Sequence, residues 1–92
     1  MSFDLRVNKI IKKTFTYNPA STADAAGVTT SVTVTGARKG DLVLFAPGND
    51  MLDTIFSGYV SATDTVEIRM QNESTGTRDI LTSTSTLYVI RI

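Results

Sequence analysis

The chain has 92 residues, nine Lys+Arg against nine Asp+Glu, and no Cys, His or Trp. That length fits one small domain and is too short for two ordinary cores. Without Cys there is no disulfide framework, thiolate metal site or cysteine nucleophile, and without His the commonest general base and transition-metal ligand are missing. Zero formal net charge runs against a dedicated nucleic-acid binder, which carries a basic excess.

Hydrophobic residues make up 41% of the chain, enough for a packed core. The longest apolar stretch, Leu42 to Pro47, is far short of a membrane-spanning helix. The start, Met1-Ser2-Phe3-Asp4-Leu5-Arg6, has no continuous apolar region of the kind a secretory signal needs, so synthesis in the cytoplasm is expected. Thr occurs 15 times and Ser 8 times, a bias that suits strands because the branched Thr Cβ fits a pleated surface.

Leu5 to Lys13 alternates imperfectly, with Leu5, Val7 and Ile11 against Arg6, Asn8 and Lys12. Phe15 and Tyr17 continue it as far as Asn18-Pro19. Ala20 to Ala26 has helix-friendly content and reads as one turn or a loop. In Val28 to Thr35 the valines at 28, 32 and 34 share one face and hydroxyl residues the other, the period-2 signature of a half-buried strand, closed by Gly36. Thr65 to Gln71 repeats it, with Val66, Ile68 and Met70 inward and Glu67 and Arg69 outward, where a weak exposed ion pair between them is expected. Asp41–Ala46, Ile55–Val60 and Leu87–Ile92 are apolar on both faces. Such strands are expected where a sheet is covered twice, either by a second sheet and a neighbouring subunit or by helices, and no stretch long enough for a covering helix is evident. Asn49 to Asp53 suggests a short turn, and Pro47-Gly48-Asn49, Ala62-Thr63-Asp64 and Asn72 to Gly76 carry turn chemistry. The pattern predicts an all-β fold, a small antiparallel β-sandwich (jelly-roll or Ig-like) of six to eight strands.

No site for chemistry emerges. Ser57 and Ser61 lack both a base and the framing glycines of a nucleophile elbow. Gly36-Ala37-Arg38-Lys39-Gly40-Asp41 resembles a phosphate cradle only superficially, since the lysine precedes the second glycine and a strand follows. Asp50, Asp53 and Asp64 lie scattered over two loops and read as turn residues, not as a metal site. A non-enzymatic chain with no cofactor and no metal is expected. For sugar stacking, which favours Trp, the candidates are Tyr17, the least confined, and Tyr59; Tyr59 and Tyr88 otherwise read as core or interface. One asymmetry stands out. Residues 1–13 carry Arg6, Lys9, Lys12 and Lys13 against Asp4, so the remainder is acidic by the same amount. A basic start of this kind suits docking on an acidic partner surface or on the acidic body of an adjacent copy, and is too small for direct nucleic-acid binding.

Val32-Thr33-Val34-Thr35-Gly36-Ala37-Arg38-Lys39-Gly40-Asp41-Leu42-Val43-Leu44, followed by Gly58-Tyr59-Val60-Ser61-Ala62-Thr63-Asp64-Thr65-Val66-Glu67-Ile68-Arg69-Met70-Gln71-Asn72 and the final Tyr88-Val89-Ile90-Arg91-Ile92, resembles small virion proteins of tailed phages. These are head decoration (cement) proteins or modules of head fibres and tail appendages. The likeness covers residues 28–92. It implies a β-sandwich, oligomeric and often trimeric, on the outer head surface with the major capsid protein as partner. Residues 1–27 form an N-terminal arm or a first strand plus loop, and 28–92 the sandwich body, within a single domain. The capsid contact is expected at Arg6, Lys9, Lys12 and Lys13, and the contact between subunits at Tyr88, Ile90 and Ile92. A head-fibre or tail module and a carbohydrate-binding module are the alternatives.

Overall fold

The computed structural model describes residues 7–92. Six strands run in order: β1 (Lys9–Tyr17), β2 (Gly27–Thr33), β3 (Leu42–Ala46), β4 (Ile55–Ala62), β5 (Thr65–Gln71) and β6 (Ser83–Arg91). They form two three-stranded antiparallel sheets, β1-β6-β3 and β2-β5-β4, stacked as a small all-β sandwich. Among the described residues no helix forms, and Ala20 to Ala26 is a loop bridged to Arg78 through Thr22.

The period-2 strands behave as their pattern dictates. Val66, Ile68 and Met70 of β5 are buried, facing Val32 and Val28 of β2 in register. Opposite them lie Leu87 and Val89 of β6, with Ile11, Phe15, Val43 and Phe45 from its neighbours. Phe15, Tyr17, Phe45 and Phe56 make edge-on and tilted ring contacts at 5.1–6.2 Å between centroids, joining the sheets at one side of the core. The expected pairing of Glu67 with Arg69 is absent. Instead Glu67 accepts from Ser31 Oγ (2.7 Å) and Ser61 Oγ (3.2 Å) on the flanking strands. Arg69 donates to Thr29 Oγ1 and Gln71 Oε1. Hydroxyls on the flanking strands take the Glu67 carboxylate and one Arg69 nitrogen, and the Gln71 amide oxygen takes the other, so both charges are satisfied without meeting.

β1 pairs with β6 along its whole length, from Lys9↔Arg91 to Tyr17↔Ser83. Residues 9–17 are therefore a first strand and not an arm, and they share one core with residues 28–92; Arg6 and the residues before it lie outside the described residues. Tyr17, the sequence's least confined aromatic, is fully buried, so it is no stacking platform. Its hydroxyl finds no protein partner, and burial raises its pKa above the usual tyrosine value. An unpaired buried hydroxyl carries a desolvation penalty. Tyr17→Phe is accordingly expected to stabilise the protein by roughly 1 kcal/mol at neutral pH. Because the folded pKa is raised, stability is full below pH about 10 and is lost as pH rises through the folded value. The phenylalanine variant loses that alkaline sensitivity. Thermal unfolding at pH 7 and pH 11 checks both outcomes.

All six strands alternate in direction. The loops after β1, β3 and β5 therefore gather at one end of the sandwich, and those after β2 and β4 at the other, beside the end of β6. At the first end Asn72 is the hub. Its buried amide nitrogen donates to the Thr22, Ala23 and Gly76 carbonyls, and its oxygen accepts from Ser74. At the other end Gly36 and Gly40 turn the chain with φ of 96° and 97°. The Gly36 N–H donates to Asp64 Oδ1 at 2.8 Å, and its carbonyl accepts from Arg91 Nη2 at 2.8 Å. Arg91 also grips Asp41 with two bonds, Nε to Oδ1 at 3.1 Å and Nη2 to Oδ2 at 2.8 Å. The guanidinium, with the Arg38 N–H, holds the Asp41 carboxyl below the ordinary aspartate range. A depressed folded pKa means the unfolded chain binds the proton first. The contribution is complete above pH about 4 and disappears as pH falls through the folded value. Asp41→Asn is expected to flatten the acid limb of the stability profile, measured by urea unfolding between pH 2 and 6.

Candidate interaction surface

The two sheets differ on their outer faces. On the β2-β5-β4 sheet the outward side chains are Thr29, Ser31 and Thr33, then Glu67, Arg69 and Gln71, tied laterally by the hydroxyl contacts above. Only β4 adds apolar groups there, Ile55 and the half-exposed Tyr59. That face is satisfied by its own hydrogen bonds.

The outer face of the β1-β6-β3 sheet is divided along the strands. One half presents Ile10, Ile90 and Leu42 in one row across the sheet, and Lys12, Tyr88 and Leu44 in the next. The other half presents Thr14, Thr86 and Ala46, then Thr16 and Thr84. Ile10, Leu42 and Leu44 are 60%, 51% and 58% exposed. Ile90 and Tyr88, on the central strand, are half-buried only because their neighbours flank them. Five large apolar side chains thus stand side by side with one lysine among them, the composition of an association surface rather than of scattered exposed residues.

The strands read as apolar on both faces are therefore covered once. The second sheet takes one face, and among the described residues nothing takes the other. Tyr88 and Ile90 lie on this face, and Ile92, also exposed, follows the end of β6. The basic residues do not form one patch. Lys12 points outward beside Tyr88, whereas Lys9 and Lys13 have the opposite parity on the edge strand. Lys9 reaches toward the turn at Gly36. Lysines on an edge strand also discourage edge-to-edge pairing. Of the residues expected from sequence at separate capsid and subunit contacts, the register brings together Lys12 and Tyr88. Ile10, Leu42 and Leu44 were not singled out from sequence; the shared parity of Leu42 and Leu44 was the available signal, and the register against Ile90 supplies the rest.

Elsewhere a cleft of about 320 Å³ opens among Asp50, Leu52, Asp53, Thr77, Arg78 and Asp79. Arg78 Nε donates to the Leu52 carbonyl and Asp50 Oδ1 accepts from the Leu52 N–H, holding Leu52 and Asp53 at positive φ. Asp64 lies at the opposite end of the sandwich, so Asp50, Asp53 and Asp64 do not converge. Among the described residues no group of three or more potential metal ligands comes together.

Fold and surface define a class: a small two-sheet sandwich with one polar, internally bonded outer face and one apolar outer face that nothing among the described residues covers. Compared with family models, curated proteins and solved structures, the chain matches none.

Proposed function

We propose that the chain is a non-enzymatic structural protein of a tailed-phage virion, a decoration (cement) protein that docks as a homo-oligomer on the outer surface of the head, on the major capsid protein. The observation that carries this reading is the uncovered apolar face built from Ile10, Leu42, Leu44, Tyr88 and Ile90. A patch of that kind on a soluble sandwich favours association with another protein surface. The virion context comes from the resemblance of the 32–44, 58–72 and 88–92 segments. Each contact can be modest, because linked copies raise the effective concentration of the next. Lys12 gives the face a cationic member suited to an acidic rim on the partner.

The test is co-sedimentation with phage heads stripped of the protein. Ile10 and Leu44 are mostly exposed, so Ile10→Glu/Leu44→Glu leaves the fold intact. It is expected to weaken head binding at least tenfold, since two buried contacts at about 1.4 kcal/mol per decade are removed and two charges are desolvated. Undiminished binding by this variant, or no binding by the unmodified protein, overturns the reading.

A further inference from the structure

The sequence places a basic segment at the start of an otherwise acidic chain, and the fold extends that split into an axis. At the end where β2 turns into β3 and β4 into β5, Lys9 and Lys12 of β1's first half are joined by Arg38 and Lys39, with Lys13 at the strand's midpoint, and all five are exposed. The two carboxylates at that end are engaged internally, Asp41 with Arg91 and Asp64 with the Gly36 N–H. The opposite end collects Asp24, Asp50, Asp53, Glu73 and Asp79, all exposed, from three different loops. Its one cation, Arg78, is directed onto the Leu52 and Thr77 carbonyls. Counting the paired groups as well, five cations stand against two acids at one end and five acids against one cation at the other, with Lys13 between them. Glu67 and Arg69 cancel in between. The described residues thus carry an excess of three positive charges at one end and four negative at the other, on a body whose longest extent is 45 Å.

We propose that copies of this chain associate head to tail, the basic end of one seated on the acidic end of the next. Like ends repel, so a two-fold contact through either end is disfavoured, while the heterologous contact satisfies both at once. The acidic cleft lined by Asp50, Asp53 and Asp79 is a receiving site of suitable size for lysine side chains from the neighbour's β1 edge. Closure of the contact produces a ring. Cyclic symmetry leaves every apolar outer face of the β1-β6-β3 sheet related by rotation about one axis, so that all can meet one surface. The contact deepens the oligomeric part of the reading above, but does not depend on the capsid.

Sedimentation velocity of the full chain tests it. In about 50 mM NaCl, association should rise with concentration and weaken at least tenfold in about 500 mM, where screening shortens to a few ångströms. Lys9→Glu/Lys13→Glu/Lys39→Glu makes both ends acidic, and Asp24→Lys/Glu73→Lys/Asp79→Lys makes both basic. Each alone is expected to stay monomeric. An equal mixture should form one-to-one complexes, because each variant keeps one original end. A monomer at every concentration in low salt overturns the contact, as does association that survives either reversal or a folded mixture that fails to pair. None of these substitutions touches the apolar face. Head binding by the unmodified chain while it stays monomeric in low salt would overturn the head-to-tail contact alone and leave the docking surface standing.

Discussion

Asn72→Ala is expected to lower stability by about 2–3 kcal/mol, a large loss for a single polar side chain. The Asn72 side chain is fully buried where the loop after β1 meets the loop after β5. Its two N–H groups serve three carbonyls, at 2.8 Å for Thr22, 3.1 Å for Ala23 and 2.8 Å for Gly76. Its oxygen accepts the Ser74 N–H at 3.0 Å and the Ser74 hydroxyl. Alanine leaves the Ser74 N–H without its acceptor and strips one of two hydrogen bonds from each carbonyl, since Thr22 keeps the Arg78 N–H, Ala23 the Ala26 N–H and Gly76 the Ser74 hydroxyl. A lost partner of this kind costs about 1–3 kcal/mol, and the emptied space adds to it. Against a typical total of about 5–15 kcal/mol, that is a large share of the fold's stability, and the midpoint should fall by about 4–8 °C per kcal/mol. Asn72→Asp should be worse at neutral pH, because a carboxylate would face carbonyl oxygens. Its raised folded pKa makes the aspartate variant recover as pH drops, which alanine does not. Thermal unfolding of both variants at pH 7 and pH 4.5 distinguishes lost hydrogen bonds from simple loss of volume.

Gly48→Ala is the second large effect, at about 3 kcal/mol or more. Gly48 follows β3 and passes directly over β6, donating its N–H to Ser85 Oγ at 3.0 Å. A Cβ there would overlap the Thr84 carbonyl oxygen, with the Ser83 Cβ a further 3.3 Å contact. The obstacle is backbone of a central strand, so it cannot rotate away. Relief requires the turn to lift, which breaks the Ser85 bond and opens the core beneath it. Gly58→Ala is the control. A Cβ at Gly58 meets Val43 Cγ1 at 2.6 Å, Ile68 Cδ1 at 3.1 Å and Val43 Cβ at 3.4 Å; these are side-chain atoms across the core and not backbone, so repacking at about 1–3 kcal/mol can accommodate it. Urea denaturation ranks the two, and a Gly58 variant as damaging as Gly48 would contradict this account.

Much of the fold was legible in local chemistry. The alternation of Val66, Ile68 and Met70 marks β5 to the residue, and Asn18-Pro19 ends β1 at Tyr17. The sandwich itself follows from short strands punctuated by turn residues. The surface was less legible. Tyr17 reads as a free aromatic because it sits next to a turn, yet its parity on β1 sends it inward with Phe15 to meet Phe45. Asn72 reads as a turn residue, and nothing near it in sequence reveals that the Thr22 and Ala23 carbonyls, fifty residues away, come to it.

By itself, then, the sequence determined the secondary structure, the inward faces of the strongly alternating strands, and the absence of side chains for His- or Cys-based chemistry. Those properties depend on spacing within a few residues, because side chains on a strand alternate whatever the strand pairs with. Only the tertiary structure decided which face of β3 and β6 stays uncovered, and that Lys12 stands beside Tyr88 on it. A segment apolar on both faces carries no mark of which face the second sheet will take; long-range register settles that. The charge axis has the same origin. Arg38 and Lys39 join Lys9, and Asp24 joins Asp50 and Asp79, because six strands alternate in direction and bring loops distant in the chain to a common end.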